Sequence, residues 1–239
     1  MFLHSPKVQS LMAALLVRTG QVISKDRLMA EIWGDEAPRR ADASLYVYVC
    51  QLRKFLRAAS PQERRLTTCP GGYILHTDPA EIDAEDFQQF TERGRSQFRA
   101  GQYEQAAESL GFALRLWRGP AFGDGQQGPM VHAYGTWLAE CRLECTELLA
   151  ECSIRLGRHR EVIGYLSSLI VEHPLREVFY RLLMIALYGS DRQAEALEVY
   201  RTARARLSAE IGLDPCRSLQ DLHKAILTGD TSVSELLAA

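Results

Sequence analysis

Residues 41–57 read ADASLYVYVCQLRKFLR, and residues 66–76 read LTTCPGGYILH. The first stretch carries apolar residues at i, i+4, i+7 and i+11: Leu45, Val49, Leu52 and Leu56. That spacing is typical of one face of an α-helix, which Asp42 is expected to cap and which should run to about residue 57. In the second stretch, Pro70-Gly71-Gly72 separates two short runs rich in β-forming residues, the composition of a hairpin. An amphipathic helix followed closely by a β-hairpin is therefore predicted for residues 41–76.

Two further helices are predicted ahead of this stretch. The first begins at Ser5-Pro6, because serine is a good N-cap and proline is favoured at the first helical position, and it ends at Gly20. The second begins at the cap Ser24 and ends at Gly34. A polar, proline-containing loop then leads into the third helix. Helix, helix, loop, helix and hairpin is the order of a winged helix-turn-helix, which we predict for residues 1–77.

The charges are divided unevenly along the chain. Residues 1–77 hold eleven Lys or Arg and six Asp or Glu, a formal charge of +5. The remaining residues hold 17 basic and 24 acidic side chains, a formal charge of −7. A basic module beside an acidic one indicates that only the first meets a polyanion such as DNA.

A helix of this size fits the DNA major groove, where side chains read base edges while basic residues beside them neutralise phosphates. We expect four side chains of the third helix to face base edges: Tyr46, Val47, Cys50 and Gln51. Val47 would suit the methyl group of thymine. The expected phosphate contacts come from the second and third helices and from the hairpin: Lys25, Tyr48, Arg53, Lys54, Arg57, Thr67 and Thr68.

This part of the chain resembles the OmpR/PhoB type of winged helix. The resemblance rests on residues 47–56, on Gly71-Gly72-Tyr73, and on residues 28–34, which are similar to the second helix of that family and its end. It implies that the third helix is the recognition helix. It also implies that Arg39 and Arg40, in the loop before that helix, contact RNA polymerase or a phosphate. Family members carry several strands before the first helix, whereas only residues 2–4 stand there here, so a shortened N-terminal sheet is expected.

Residues 83–239 are predicted to form a second, helical domain, with Asp83 as the cap of its first helix. Three similar Gly-x-(polar or aromatic) segments, beginning at Gly101, Gly157 and Gly189, are each expected to end one helix and start another. The last two lie 32 residues apart in the sequence, near the tetratricopeptide period of about 34 residues. The predicted fold is therefore mostly α: a winged helix-turn-helix followed by a tetratricopeptide-like helical domain.

The second domain resembles the bacterial transcriptional activation domain through residues 116–119, 173–177 and 210–215, which stand in the expected order. A winged helix followed by that domain resembles the Streptomyces antibiotic regulatory protein family. The resemblance implies an activator that binds direct repeats in promoters of biosynthetic gene clusters. It also implies two protomers on double-stranded DNA and recruitment of RNA polymerase holoenzyme.

Other classes of function have less support in the sequence. A tetratricopeptide-like adaptor with a degenerate winged helix is the main alternative, and an enzyme ranks below it because no catalytic signature is present. Cys141, Cys145 and Cys152 share one helical stripe and are interpreted as small packing residues rather than a metal site, so no cofactor is expected. No long apolar run or signal peptide is seen, so a cytoplasmic location is expected.

Overall fold

The computed structural model describes residue 3 and residues 5–59, 65–78, 81–123 and 128–229. It divides into two compact units. Unit 1 comprises Met1–Asp86 with Leu116–Arg142, and unit 2 comprises Phe87–Arg115 with Leu143–Ala239. Residues 116–142, which the sequence placed with the second domain, thus pack with the first.

Unit 1 is built on a winged helix-turn-helix. Its elements in chain order are α1 (Pro6–Val17), β1 (Ile23–Ser24), α2 (Lys25–Trp33), α3 (Ala41–Ala59), β2 (Leu66–Cys69) and β3 (Gly72–Leu75). The three strands form an antiparallel sheet in the order β1-β3-β2. Ile23 pairs with Tyr73, and Leu66 pairs with Leu75. The predicted hairpin is present, whereas the two-residue strand β1 was not predicted, because two residues are too few to show an alternating pattern.

The caps predicted for α1, α2 and α3 agree with the structure to different degrees. Ser24 caps α2, since its hydroxyl accepts a hydrogen bond from the backbone N–H of Arg27 at 3.3 Å. Ser5 occupies the N-cap position of α1, but its side chain makes no capping hydrogen bond. Asp42 was predicted as the cap of α3, and this is wrong because α3 begins at Ala41. Its carboxylate lies instead in the first turn, where a negative charge interacts favourably with the positive end of the helix dipole.

The core of unit 1 forms where α1, α2 and α3 pack on the sheet. The predicted stripe of α3 is buried throughout: Leu45, Val49, Leu52 and Leu56. Leu11 of α1, Leu28 of α2 and Leu75 of β3 are fully buried in the same cluster. Met130 and Val131, about a hundred residues later in the chain, complete this cluster.

One buried carboxylate fastens Met130 and Val131 to the winged helix. Glu31 is only 6% exposed, and its Oε1 accepts a hydrogen bond from the N–H of Met130 at 2.8 Å. Its Oε2 accepts a second from Val131 at 3.3 Å. A Cβ on Gly128 would lie 2.4 Å from the Cα of Glu31, so glycine is needed for the two backbones to approach this closely. The first turn of a helix leaves N–H groups without partners inside the helix, and Glu31 satisfies two of them.

The helices that follow the winged helix are α4 (Asp83–Arg99), α5 (Tyr103–Arg115), α6 (Pro129–Arg155), α7 (His159–Glu172), α8 (Glu177–Tyr188), α9 (Gln193–Ile211) and α10 (Arg217–Thr228). Asp83 is the first helical residue of α4 rather than its predicted cap. In unit 2, α8 lies at the centre of the core, with Phe179, Tyr180 and Met184 fully buried. The predicted architecture, mostly α with a winged helix and tetratricopeptide-like helices, is confirmed.

The three predicted turn glycines have two different roles. Gly101 and Gly157 have φ angles of 73° and 72°, which glycine adopts readily between helices. Gly189 does not adopt such an angle, and Asp191 carries the positive φ of 63° in that turn instead. A Cβ on Gly189 would lie 2.9 Å from the ring of His159, so this glycine makes room for the imidazole. The segment beginning at Gly189 does end α8 and lead into α9, as predicted, but Asp191 rather than the glycine takes the left-handed conformation.

Within the residues that the structure describes, none of the helices is both long and apolar enough to cross a membrane.

Candidate nucleic-acid interface

The solvent-facing side of α3 carries the side chains that were predicted to meet base edges. Tyr46 is 61% exposed and Val47 is 50% exposed, although the ring of Tyr46 and the whole side chain of Val47 are apolar. Cys50 and Gln51 are also exposed. The opposite side of the helix is buried in the core, so these four side chains share the face that unit 1 leaves open.

Arg53 joins the recognition helix to the wing. Its Nε donates to the backbone carbonyl of Leu66 at 3.1 Å, and one terminal nitrogen donates to the hydroxyl of Thr68 at 2.7 Å. The guanidinium carbon also lies 6.0 Å from the ring centroid of Tyr73. Arg53 and Thr68, both predicted as phosphate contacts, therefore bond to each other and set the distance between α3 and β2.

Tyr48 is half-buried rather than free on the surface. Its ring lies 5.7 Å from that of Trp33, and it packs against the core cluster of unit 1. Only part of this side chain faces solvent, so its ring acts first as a packing group between α3 and α2.

The remaining predicted phosphate contacts lie exposed around the recognition helix. Lys54 and Arg57 extend the open face of α3, and Thr67 lies on β2. Lys25 is the first residue of α2, and its backbone N–H donates to the carbonyl of Gly71 at 3.2 Å. The start of α2 is thereby held against the turn of the wing. Arg39 and Arg40 are exposed between α2 and α3.

A cleft of about 320 Å³ runs between the second half of α3 and β2. Its lining combines basic, hydroxyl and apolar side chains: Arg53, Leu56, Arg57, Arg65, Leu66, Thr67 and Thr68. Sequence reasoning missed Arg65. It immediately precedes β2 in a basic dipeptide, Arg64-Arg65, and this was the available signal.

The guanidinium of Arg65 is paired with a carboxylate that lies just before α4. It donates two hydrogen bonds to Glu81, one to each carboxylate oxygen and both at 2.7 Å. This paired geometry matches the fork of the guanidinium to the two oxygens. The hydrogen bond from Arg65 lowers the pKa of Glu81 below its ordinary value, so the pair stays charged at neutral pH.

The cysteine stripe on α6 has no sign of a reactive site. Cys145 and Cys152 are buried, and the thiol of Cys145 lies 3.7 Å from the carbonyl oxygen of Leu110. Burial raises the pKa of Cys152 to about 12, so that thiol stays protonated at neutral pH. Among the described residues, no three His, Cys, Asp or Glu side chains are grouped to hold a metal ion.

Both parts of the chain match models of known protein families. Residues 3–75 match the model of the transcriptional regulatory protein C-terminal family, and residues 82–227 match the bacterial transcriptional activator domain. The chain is 34% identical over 233 residues to Regulatory protein DnrI of Streptomyces peucetius, covering 95% of this chain and 86% of that protein. It is 37% identical over 239 residues to Regulatory protein AfsR of Streptomyces coelicolor, covering 98% of this chain and 23% of AfsR.

A solved structure also matches the chain. The structure of Mycobacterium tuberculosis EmbR in complex with a low affinity phosphopeptide matches with a TM-score of 0.90 at 33% identity. The match covers 98% of this chain and 63% of the EmbR chain. The chain thus spans most of DnrI, but less than a quarter of AfsR and less than two thirds of EmbR.

Proposed function

Because the chain belongs to the Streptomyces antibiotic regulatory protein family of transcriptional regulators, we propose that it is a sequence-specific DNA-binding transcription activator. The observation that carries this proposal is the open face of α3. Four side chains capable of base contact lie exposed there, while the opposite face of the same helix is buried in the core. Tyr46 and Val47 are adjacent, exposed and largely apolar, which is typical of a surface that contacts a partner.

In the proposed complex, α3 lies in the major groove with Tyr46, Val47, Cys50 and Gln51 against base edges. The amide of Gln51 can pair with adenine through two hydrogen bonds, and Val47 can contact a thymine methyl group. Sequence preference would arise from these contacts, because phosphate contacts carry no direct information on sequence.

The proposed phosphate contacts surround that helix. Lys54, Arg57 and Lys25 supply exposed positive charge, Thr67 and Thr68 supply hydroxyl groups on the wing, and Tyr48 supplies its phenol group. Arg53 is proposed to act in two ways, since it already bonds Thr68 and can place that hydroxyl toward a phosphate. The charge of +5 on residues 1–77 supports the assignment of these groups to a polyanion.

Assembly and activation complete the proposal. Two protomers would bind a direct repeat in a promoter, one recognition helix per repeat, and the regulated genes would form a secondary-metabolite biosynthetic cluster. The exposed Arg39 and Arg40 would contact RNA polymerase holoenzyme, because they lie before α3 rather than on its open face. The names of the relatives, which are those of regulatory proteins, support regulation rather than catalysis.

DNA binding is tested with Lys54→Ala, measured by fluorescence anisotropy on duplexes of random sequence in a salt titration. Lys54→Ala should weaken binding to all sequences and lower the slope of log affinity against log salt by about one unit, since one phosphate contact is lost. Lys224→Ala is the matched control, because it removes the same side chain from α10 of unit 2, outside the proposed interface. Lys224 is the only lysine that follows residue 54 in the sequence. Its slope should equal that of the wild type.

The same assay separates the activator from the adaptor. Salt-sensitive binding, followed by enrichment of a direct repeat from a randomised pool, would support the activator. A folded protein that does not bind any duplex at low salt would contradict it and favour a protein-binding adaptor with a degenerate winged helix.

Polymerase contact is tested with the double variant Arg39→Ala/Arg40→Ala in transcription with purified RNA polymerase. A charged hydrogen bond contributes about 1.5–3 kcal/mol, so losing one or two should reduce activation by roughly tenfold or more. Affinity for the promoter duplex alone should not change. An equal loss of DNA affinity would instead assign the two arginines to phosphates.

A further inference from the structure

The cleft between α3 and the wing contains three arginines, and one of them is already held by a carboxylate of the same chain. Arg53 and Arg57 line the cleft from α3, and Arg65 lines it from the segment before β2. The hydroxyls of Thr67 and Thr68 lie on the same lining. Guanidinium groups and hydroxyls around a cleft of this size are the groups that bind a phosphodiester.

Glu81 binds the guanidinium of Arg65 in the geometry that a phosphate would adopt. Both carboxylate oxygens of Glu81 accept from the guanidinium at 2.7 Å, the same two-point geometry that arginine makes with two phosphate oxygens. The side chain of Arg65 is 19% exposed and that of Glu81 is 40% exposed, so the pair is reached from solvent on the carboxylate side. An anion that binds these two guanidinium nitrogens with the same two-point geometry must therefore take the place of Glu81.

We propose that the cleft binds a backbone phosphate of DNA through Arg65, and that Glu81 is an internal competitor for that phosphate. The inference rests on the proposed function, since it names a further contact of the same interface. It differs from that proposal in two respects. It adds Arg65, which lies outside the exposed face of α3 and was not among the predicted phosphate contacts. It also predicts that an acidic side chain of the same chain weakens DNA binding by the wild type.

Competition has a consequence for the segment before α4. When DNA displaces the carboxylate, Glu81 loses the contact that ties it to the wing 16 residues earlier in the chain. DNA binding and release of Glu81 are then linked. A second ligand that stabilises the Glu81–Arg65 pair would lower the affinity for DNA, and DNA would lower the affinity for that ligand by the same factor.

The test uses the full chain with Glu81→Gln, and again fluorescence anisotropy on a random-sequence duplex. Removing the competing charge should raise affinity roughly two- to fivefold at low salt, the factor expected from an exposed ion pair. Asp83→Asn is the matched control: it removes one negative charge two residues away, but the partner of Asp83 is Arg118, which does not line the cleft. Its affinity should change less than that of Glu81→Gln.

Arg65→Ala completes the experiment. It should lower the salt slope by about one unit, as expected when one phosphate contact is lost. In that background Glu81→Gln should no longer raise affinity. Circular dichroism of each variant confirms that it is folded.

The outcomes separate the inference from the proposed function. If the wild type binds DNA and Glu81→Gln does not exceed Asp83→Asn, competition by Glu81 is wrong and the proposed function stands. A salt slope unchanged by Arg65→Ala, or a gain from Glu81→Gln that persists without Arg65, would also overturn the inference. If neither the folded wild type nor Glu81→Gln binds any duplex, both proposals fail.

Discussion

Replacing Gly72 by alanine is expected to lower the free energy of unfolding of unit 1 by at least about 3 kcal/mol, the upper end of what overpacking costs. A Cβ at this position would lie 2.0 Å from the carbonyl oxygen of Ile23 and 2.8 Å from its carbonyl carbon. Both are backbone atoms of β1, which pairs with β3 at Ser24 and Gly72. Because no side-chain rotation relieves the clash, the alanine must separate the two strands.

The neighbouring glycine provides a matched control. Gly71 has a φ of 83° and no atom within 4 Å of its missing Cβ, so Gly71→Ala introduces backbone strain without a clash. Its cost should be about 1–2 kcal/mol. All three tryptophans, Trp33, Trp117 and Trp137, lie in unit 1, so urea unfolding followed by tryptophan fluorescence reports on that unit. Equal losses for the two variants would contradict the close approach of β1 and β3 at Gly72.

Glu31→Ala is expected to cost about 3 kcal/mol of the free energy of unfolding of the same unit. It removes the acceptor of two hydrogen bonds and leaves the N–H groups of Met130 and Val131 unpaired in a buried place. Each buried donor without a partner costs about 1–3 kcal/mol. Glu31→Gln keeps one carbonyl oxygen as acceptor, so its loss should be about half as large.

Glu36→Ala is the control for Glu31→Ala, because Glu36 is an exposed carboxylate in the same unit. Exposed positions of this kind usually change stability by less than about 0.5 kcal/mol. Trp117 and Trp137 lie within residues 116–142, so their fluorescence follows the segment that Glu31 holds. Should Glu31→Ala cost no more than Glu36→Ala, the carboxylate does not fasten Met130 and Val131 to the winged helix.

The two predictions concern the same requirement of the proposed function. An open recognition face is useful only if α3 and the wing keep their distance. The wing is held by β1 through Gly72 on one side and by Arg53 on the other. Residues 116–142 add two buried apolar side chains, Met130 and Val131, to the core of unit 1. Substitutions at Gly72 or Glu31 should therefore lower the apparent DNA affinity only to the extent that they unfold unit 1. The preferred DNA site should not change.

Local patterns in the sequence were sufficient for much of the fold and of the candidate site. The spacing of Leu45, Val49, Leu52 and Leu56 identified the buried face of α3, and hence by rotation the exposed face with Tyr46, Val47, Cys50 and Gln51. Ser24 predicted the start of α2, and Pro70-Gly71-Gly72 predicted the hairpin. These features depend on neighbours within one or two helical turns or one tight turn, which is the range over which backbone geometry links sequence to structure.

Contacts between distant parts of the chain were decided only by the tertiary structure. Glu31 meets Met130 and Val131 about a hundred residues later, β1 meets β3 across fifty residues, and Arg65 meets Glu81 across the whole wing. Arg53 was expected to face phosphate and was found bonded to Leu66 and Thr68. A charged side chain shows the same letter in the sequence whether it is solvated or paired. Which partner it takes depends on how the helices and strands pack, because burial and proximity, rather than residue type, select the pair.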